Sequence, residues 1–207
     1  MYWECKGTTP VSITKHPDSK KLQAGLTRCL PLISPVIGLL CRACGARYAN
    51  QADLLSGQGA KWTGGRWNPP GLFPVVYGSL DPFAALAETI GAYGHYAIPF
   101  EQRMPLVMVG IAAELQRALD FTDPDIRRRL SVSMPRMMAA NWESSQLQGK
   151  EALTQALGRL AWELQLEGLV VPSARLKKER NLVIFPDHLL PTSRLEIVNR
   201  EELPEQL

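Results

Sequence analysis

The stretch "GGRWNPPG", residues 64–71, limits what this chain can fold into more than any other segment. It holds three glycines and two prolines and no aliphatic side chain, so neither a core helix nor a core strand can run through it. Regular structure must stop before it and begin again after it. Glycines such as Gly65 let the backbone approach a ligand closely and aim several N–H groups at an anion. Arg66 adds a planar two-bond charge and Trp67 a flat stacking surface. That set suits a nucleotide, with phosphates at the arginine and a ring at the aromatic. The same residues equally make a turn whose Trp67 packs into a core, and the segment alone leaves both readings open.

The chain around it reads as one α+β domain. From Val36 to Cys44 it is apolar and β-like, and a polar loop, "ARYANQADLLSGQGAKWT", leads into the glycine-rich segment. "PVVYGS" follows as a short strand. In "SLDPFAALAETIGAYG", Asp81 can cap a helix, Pro82 suits its first turn, and Gly91 or Gly94 can end it. Phe83, Leu86, Ala87 and Ile90 are expected to form its apolar face. "PLVMVGIAAEL" is a continuous apolar run, as expected of a strand covered on both faces. A variable middle carries one short helix near residues 124–130. Leu153, Leu157, Leu160, Ala161 and Leu164 recur at helical spacing, predicting a helix over 150–167 that Gly168 stops. "LVVPS" and "NLVIFP" close the domain as strands. Residues 1–36 show polar and proline punctuation without periodicity and are read as an extension packing on a domain that spans 37–207.

Composition removes several function classes. At 207 residues, with 45% hydrophobic and 21% charged side chains, the chain is an ordinary globular one with room for one well-cored domain. A net charge of +3, spread over small clusters, is far from the excess of a nucleic-acid binder. The run from Cys29 to Cys44 is broken by Pro31 and Pro35 and is too short to span ~30 Å of hydrocarbon. The opening "MYWECKGTTP" has no basic region followed by an apolar run. No membrane association, no direct nucleic-acid partner and a cytoplasmic location are expected, with Cys5, Cys29, Cys41 and Cys44 as reduced thiols. Cys41 and Cys44 lie three apart on a strand, on opposite faces, so small buried thiols are expected rather than a shared metal. His16, His95 and His188 show no ligand spacing, and no metal site is predicted.

Three polar residues stand where a core does not want them. Arg42, inside "GLLCRACG", must reach an anion, a structural partner or water, because an unpaired buried guanidinium costs several kcal/mol. Glu88 falls away from the apolar face of its helix, beside Ala84 and Ala85, which leave shallow space for a ligand; a solvated helix face is the alternative. Ser173 follows an apolar strand and precedes a basic loop, where a serine commonly bonds local backbone. No nucleophile elbow surrounds it, and "GQGAKWTGG" is no phosphate-loop fingerprint.

Taken in order, "CRACGARYANQADLLSGQGAKWTGGRWNPPG", "PVVYGSLDPFAALAE", "GLVVPSAR" and "NLVIFP" resemble the RES domain family over about residues 38–190. The resemblance implies a mixed, strongly twisted sheet similar to the core of ADP-ribosylating toxins, and a toxin that degrades NAD. It implies that Arg42, Glu88 and Ser173 are the family's arginine, glutamate and serine. Arg47, Gly65, Arg66, Trp67, Tyr77 and Asn181 are implied around the substrate. In that reading, Arg42 and Arg66 clamp the pyrophosphate, Trp67 and Tyr77 pack on a ring, and Ser173 bonds the ribose or nicotinamide end. Glu88 stabilises the oxocarbenium-like carbon left when nicotinamide departs. NAD is then the substrate, inorganic phosphate the expected acceptor with water as the alternative, and no cofactor is needed. A cognate Xre-type helix-turn-helix antitoxin is the implied partner, and a homodimer is possible in such a family. A protein ADP-ribosyltransferase and a non-enzymatic nucleotide-binding module remain competing readings.

Overall fold

The computed structural model describes residues 13–95 and 104–204. Strand β1 (Ser34–Gly45) pairs antiparallel with β3 (Leu106–Asp120), from Ser34 opposite Ala118 to Gly45 opposite Leu106. From β1 the sheet continues antiparallel through β2 (Val76–Ser79), β5 (Arg180–Ile184) and β4 (Gly168–Pro172), and β4 returns to β3 in parallel. These strands close on themselves, and β6 (Arg194–Ile197) adds antiparallel to β3. The architecture is a mixed, twisted sheet in a single α+β domain, as expected. Sequence reading missed β6: at four residues, with alternating exposure, "RLEI" carries no apolar run to announce it.

The two late strands are covered on both faces. Leu169, Val171 and Val183 enter one core cluster, Val170, Leu182 and Ile184 the other. For β3 the both-faces expectation is corrected. Val109, Ile111, Ala113 and Leu115 are buried, while the alternate positions are only half-covered and Met108 is exposed. Its partner strand is alike, with Leu40 buried and Ile37 and Leu39 exposed, so this ribbon has one core face.

Helix α1 (Ser19–Cys29), in the predicted extension, buries Leu22, Leu26 and Cys29 in the first cluster. Arg159 ties this region down: its guanidinium pairs with buried Glu151 at 2.6 Å and reaches Ser19 Oγ at 3.2 Å, while the His16 N–H donates to Glu151 at 2.9 Å. The first twelve residues of the extension, Cys5 with them, and the His95 side chain lie outside the described residues. The expected polar loop after β1 contains two short helices, α2 (Gln51–Leu55) and α3 (Gln58–Thr63). The middle holds three rather than one: α5 (Pro124–Leu130), α6 (Met134–Met138) and α7 (Trp142–Leu147).

Helix α8 (Leu153–Glu163) is shorter than predicted. Gln155 Oε1 accepts the Ala152 N–H at its start, and a left-handed Gln165 (φ 58°) turns the chain at its end, so Gly168 is a strand residue and not the stop. Gly158 is where the glycine-rich segment presses on α8: a Cβ there would lie 1.8 Å from the Trp67 carbonyl oxygen. Helix α4 (Pro82–His95) begins as predicted, with Asp81 Oδ1 accepting the Ala84 N–H at 2.8 Å. Its burial is the reverse of the expectation. Ala84 and Ala85 are buried, whereas Phe83, Leu86 and Ile90 are exposed at 73%, 36% and 52%.

Candidate active site

The reversed helix brings Glu88 to the floor of a cleft of about 800 Å³, within the ~300–1,000 Å³ usual for small-ligand sites. The end of β1, the Gly64–Arg66 backbone, β2, residues 138–143 and the β4–β5 loop form its walls. Thr89 fixes the helix against β1 by donating its hydroxyl to the Ala43 carbonyl at 2.9 Å.

Three donors converge on one oxygen of Glu88. The Ser173 hydroxyl donates to Oε1 at 2.7 Å, the Ala174 N–H at 3.0 Å and Asn181 Nδ2 at 3.0 Å. Each donor is itself held. Ser173 is buried at the start of the β4–β5 loop, and its Oγ accepts the N–H groups of Arg175 and Leu176. Asn181 stands opposite Ser79 in the β2–β5 register, and the Ser79 hydroxyl donates to Asn181 Oδ1 at 2.7 Å. That bond takes the amide oxygen and turns the amide NH₂ to Glu88. With Oε1 occupied three times, Oε2 has no hydrogen-bond partner among the described residues. The carboxylate is therefore fixed in orientation with one oxygen uncommitted.

The arginines are held differently. Arg42 lines the cleft from β1, donates from Nη1 to the Leu54 carbonyl at 3.0 Å, and has its pKa pushed down by burial. Arg66 also lines the cleft, and its guanidinium donates to the carbonyls of Met137 (2.8 Å), Met138 (3.0 Å) and Ala140 (3.3 Å). The first two belong to the C-terminal end of α6, where carbonyls lack helical partners, and Ala140 lies two residues beyond it. Burial lowers the Arg66 pKa, and the negative charge of Glu88 opposes that shift.

Trp67 does not line the cleft. Its ring is buried against Phe121, 5.7 Å between centroids, so the stacking role expected for it is corrected: burying the indole in the core displaced the ligand reading. Its backbone N–H donates to the Tyr77 hydroxyl at 3.0 Å, and that hydroxyl donates to Asn68 Oδ1 at 2.8 Å. Tyr77 and Gly65 line the cleft. Arg47 is exposed outside the lining, its guanidinium 4.6 Å above the Tyr48 ring, and Tyr48 is the one of the two that reaches the cleft. Cys41 and Cys44 both contribute to the wall; with Cys29 they are free thiols whose pKa burial raises. Ser79, Thr89, Trp142 and Arg175 were not anticipated. Ser79 and Thr89 act through strand register and helix docking, which no local pattern carries. Arg175 was visible only as part of a basic loop.

Among the described residues no helix is long and apolar enough to cross a membrane. The RES domain family matches residues 39–204. The NAD(+) phosphorylase MbcT of Mycobacterium tuberculosis (strain H37Rv), and likewise that of Mycobacterium bovis, is 31% identical over 124 residues, 59% of this chain; the match spans 62% of the relative's length. The Prs ADP-ribosylating toxin of a Sphingobium species (strain YBL2) is 28% identical over 138 residues, covering 67% of this chain and 76% of that protein. Among solved structures, the M. tuberculosis MbcT–MbcA toxin–antitoxin complex aligns over 88% of this chain and 98% of the matched chain, with a TM-score of 0.64 and 25% identity. A family match over most of the chain establishes that this protein belongs to the RES domain family.

Proposed function

We propose that this protein is an NAD phosphorylase acting as a toxin, breaking the bond between nicotinamide and ribose with inorganic phosphate as acceptor. The observation that carries the reading is the Glu88 carboxylate, pinned through Oε1 by Ser173, Ala174 and Asn181 and uncommitted at Oε2, within a cleft of nucleotide size. Nicotinamide leaves with the bonding electron pair and becomes neutral, so no general acid is required. A phosphate oxygen then bonds to the ribose carbon, and the proton of monohydrogen phosphate passes to solvent. Glu88 supplies negative charge beside the carbon that becomes oxocarbenium-like. Arg42, Tyr77 and the Gly65 backbone line the same cleft and are the groups we assign to the rest of the substrate. The named activity of the mycobacterial relatives supports phosphate as acceptor. The name of the Sphingobium relative favours a second reading, transfer of ADP-ribose to a protein.

An NAD-consuming enzyme works where NAD is abundant, in the cytoplasm, and must be restrained there. The toxin–antitoxin complex formed by the structural relative supports a cognate antitoxin as that restraint. The test is to incubate the purified protein with NAD, with and without phosphate, and to identify products by mass. Phosphate-dependent nicotinamide release with ADP-ribose-1″-phosphate is expected. Free ADP-ribose at the same rate without phosphate makes the protein a hydrolase, one ADP-ribose added to a protein makes it a transferase, and intact NAD overturns the enzymatic reading.

A further inference from the structure

The cleft contains a third arginine whose arrangement differs from the other two. Arg42 and Arg66 give guanidinium N–H groups to backbone carbonyls, and burial depresses both. Arg175 also lines the cleft, yet it is exposed, and among the described residues its guanidinium has no hydrogen-bond or ion-pair partner. Its backbone is nevertheless fixed, because the Arg175 N–H donates to the Ser173 hydroxyl oxygen that holds Glu88. The side chain lies across α4 at Gly91, where a Cβ would meet Nε at 2.5 Å and Cζ at 2.7 Å. Any other residue at position 91 takes the space the guanidinium occupies.

Gly91 follows Glu88 by three positions on α4, and residues so spaced stack on one helix face about 5–6 Å apart. The Arg175 guanidinium thus lies over the residue one helical turn beyond Glu88, and its charge lowers the Arg66 pKa. We infer that Arg175 is the binding residue for the acceptor phosphate, holding the incoming anion beside the carbon that Glu88 stabilises. This rests on the reading of the cleft as an NAD-cleaving site. The chemistry requires such a group. A phosphate dianion approaching the Glu88 carboxylate meets like charge, and a planar guanidinium bonding two phosphate oxygens offsets the repulsion and aims the third oxygen. The nucleophile must reach ~3–3.5 Å from the reacting carbon, so its anchor has to sit beside Glu88 and not at the far end of the dinucleotide. An anchor that binds and releases phosphate in each turnover must also be uncommitted between turnovers, and among the described residues Arg175 has no side-chain partner.

The experiment measures initial rates of nicotinamide release while phosphate and NAD are varied independently, for wild type, Arg175→Ala, Arg175→Lys and Gly91→Ala. For Arg175→Ala the phosphate KM is expected to rise roughly 10- to 100-fold, the range for losing a charged hydrogen-bond partner, with the NAD KM within twofold of wild type. Arg175→Lys should recover part of the phosphate affinity. Gly91→Ala keeps the arginine and favours the helix, but displaces the guanidinium, and should raise the phosphate KM as well. An unchanged phosphate KM in Arg175→Ala overturns the inference, as does a rise confined to the NAD KM, which reassigns Arg175 to the pyrophosphate. If wild type itself shows no phosphate-dependent product, it is the proposed activity that fails, and the two failures are read from different samples.

Discussion

Glu88→Gln separates charge from geometry unusually well at this site. All three donors to Glu88 end on Oε1, and glutamine retains an acceptor oxygen there while placing NH₂ at the position of Oε2. The side chain therefore keeps its anchors and loses only the negative charge that the proposed mechanism sets beside the reacting carbon. Three charge-assisted bonds become neutral ones, roughly half as strong, which costs at most about 3 kcal/mol of stability if each weakens by about 1 kcal/mol. For a chain of this length that lowers Tm by no more than about 12 °C. The effect on chemistry is larger. Removing one electrostatic group aimed at developing charge typically costs ~10²–10³ in rate, or about 2.7–4 kcal/mol. Nicotinamide release under saturating NAD and phosphate should therefore fall by ~10²–10³ in kcat, with the NAD KM within a few-fold of wild type. A folded Glu88→Gln protein that keeps more than about a third of wild-type turnover would falsify the assignment of the carboxylate to the oxocarbenium.

Ser173→Ala should lower kcat by roughly 10- to 100-fold with little change in NAD KM, because the hydroxyl holds Glu88; a rise in NAD KM at unchanged kcat would show that it binds substrate directly. Arg66→Lys cannot span the three carbonyls the guanidinium now joins, and thermal melts should show a loss of about 1.5–3 kcal/mol; an unchanged Tm refutes the anchoring role. Arg159→Ala strands buried Glu151 and should destabilise the fold by about 3–5 kcal/mol, read by denaturant titration; an unchanged midpoint refutes the anchoring role of the pair. Expressed alone in bacteria the protein should arrest growth as NAD falls, with rescue by its cognate antitoxin; steady NAD and normal growth at good soluble expression refute the toxin reading.

The sequence was most informative where one local demand had no competitor. Short apolar runs mark "LVVP" and "LVI" as strands, and both are strands, buried on both faces. Asp81 and Pro82 announce the start of α4 because capping is a matter of a few adjacent residues. Trp67 and Arg66 show the opposite situation. Their neighbourhood fits either a ligand or a core, and only the closed fold decides that the indole meets Phe121 and that the guanidinium caps α6. Glu88, Ser173 and Asn181 converge from a helix, a loop and a strand far apart in the chain. Their meeting depends on the β2–β5 register that sets Ser79 against Asn181, and only the family resemblance anticipated it.

Helix α4 shows why periodicity alone misread the site. Counting apolar residues puts Phe83, Leu86 and Ile90 inside, and that choice would send Glu88 and Thr89 to solvent. The fold takes the other face. Alanines 84 and 85 pack inward, Thr89 grips the Ala43 carbonyl, and Glu88 reaches its three donors, while the large apolar side chains stand outside. Leaving these three partly in water forgoes stabilisation of up to about 1.5–3 kcal/mol for each side chain that full burial would bring. The compensation is visible in the contacts: small residues let α4 lie close to β1 and β2, which places the carboxylate within hydrogen-bonding reach of β5 and of the loop after β4. A helix that buries its alanines and exposes its phenylalanine is locally inconsistent with its own pattern, and such conflicts concentrate where position matters more than stability. Here the conflict falls on the helix that carries Glu88.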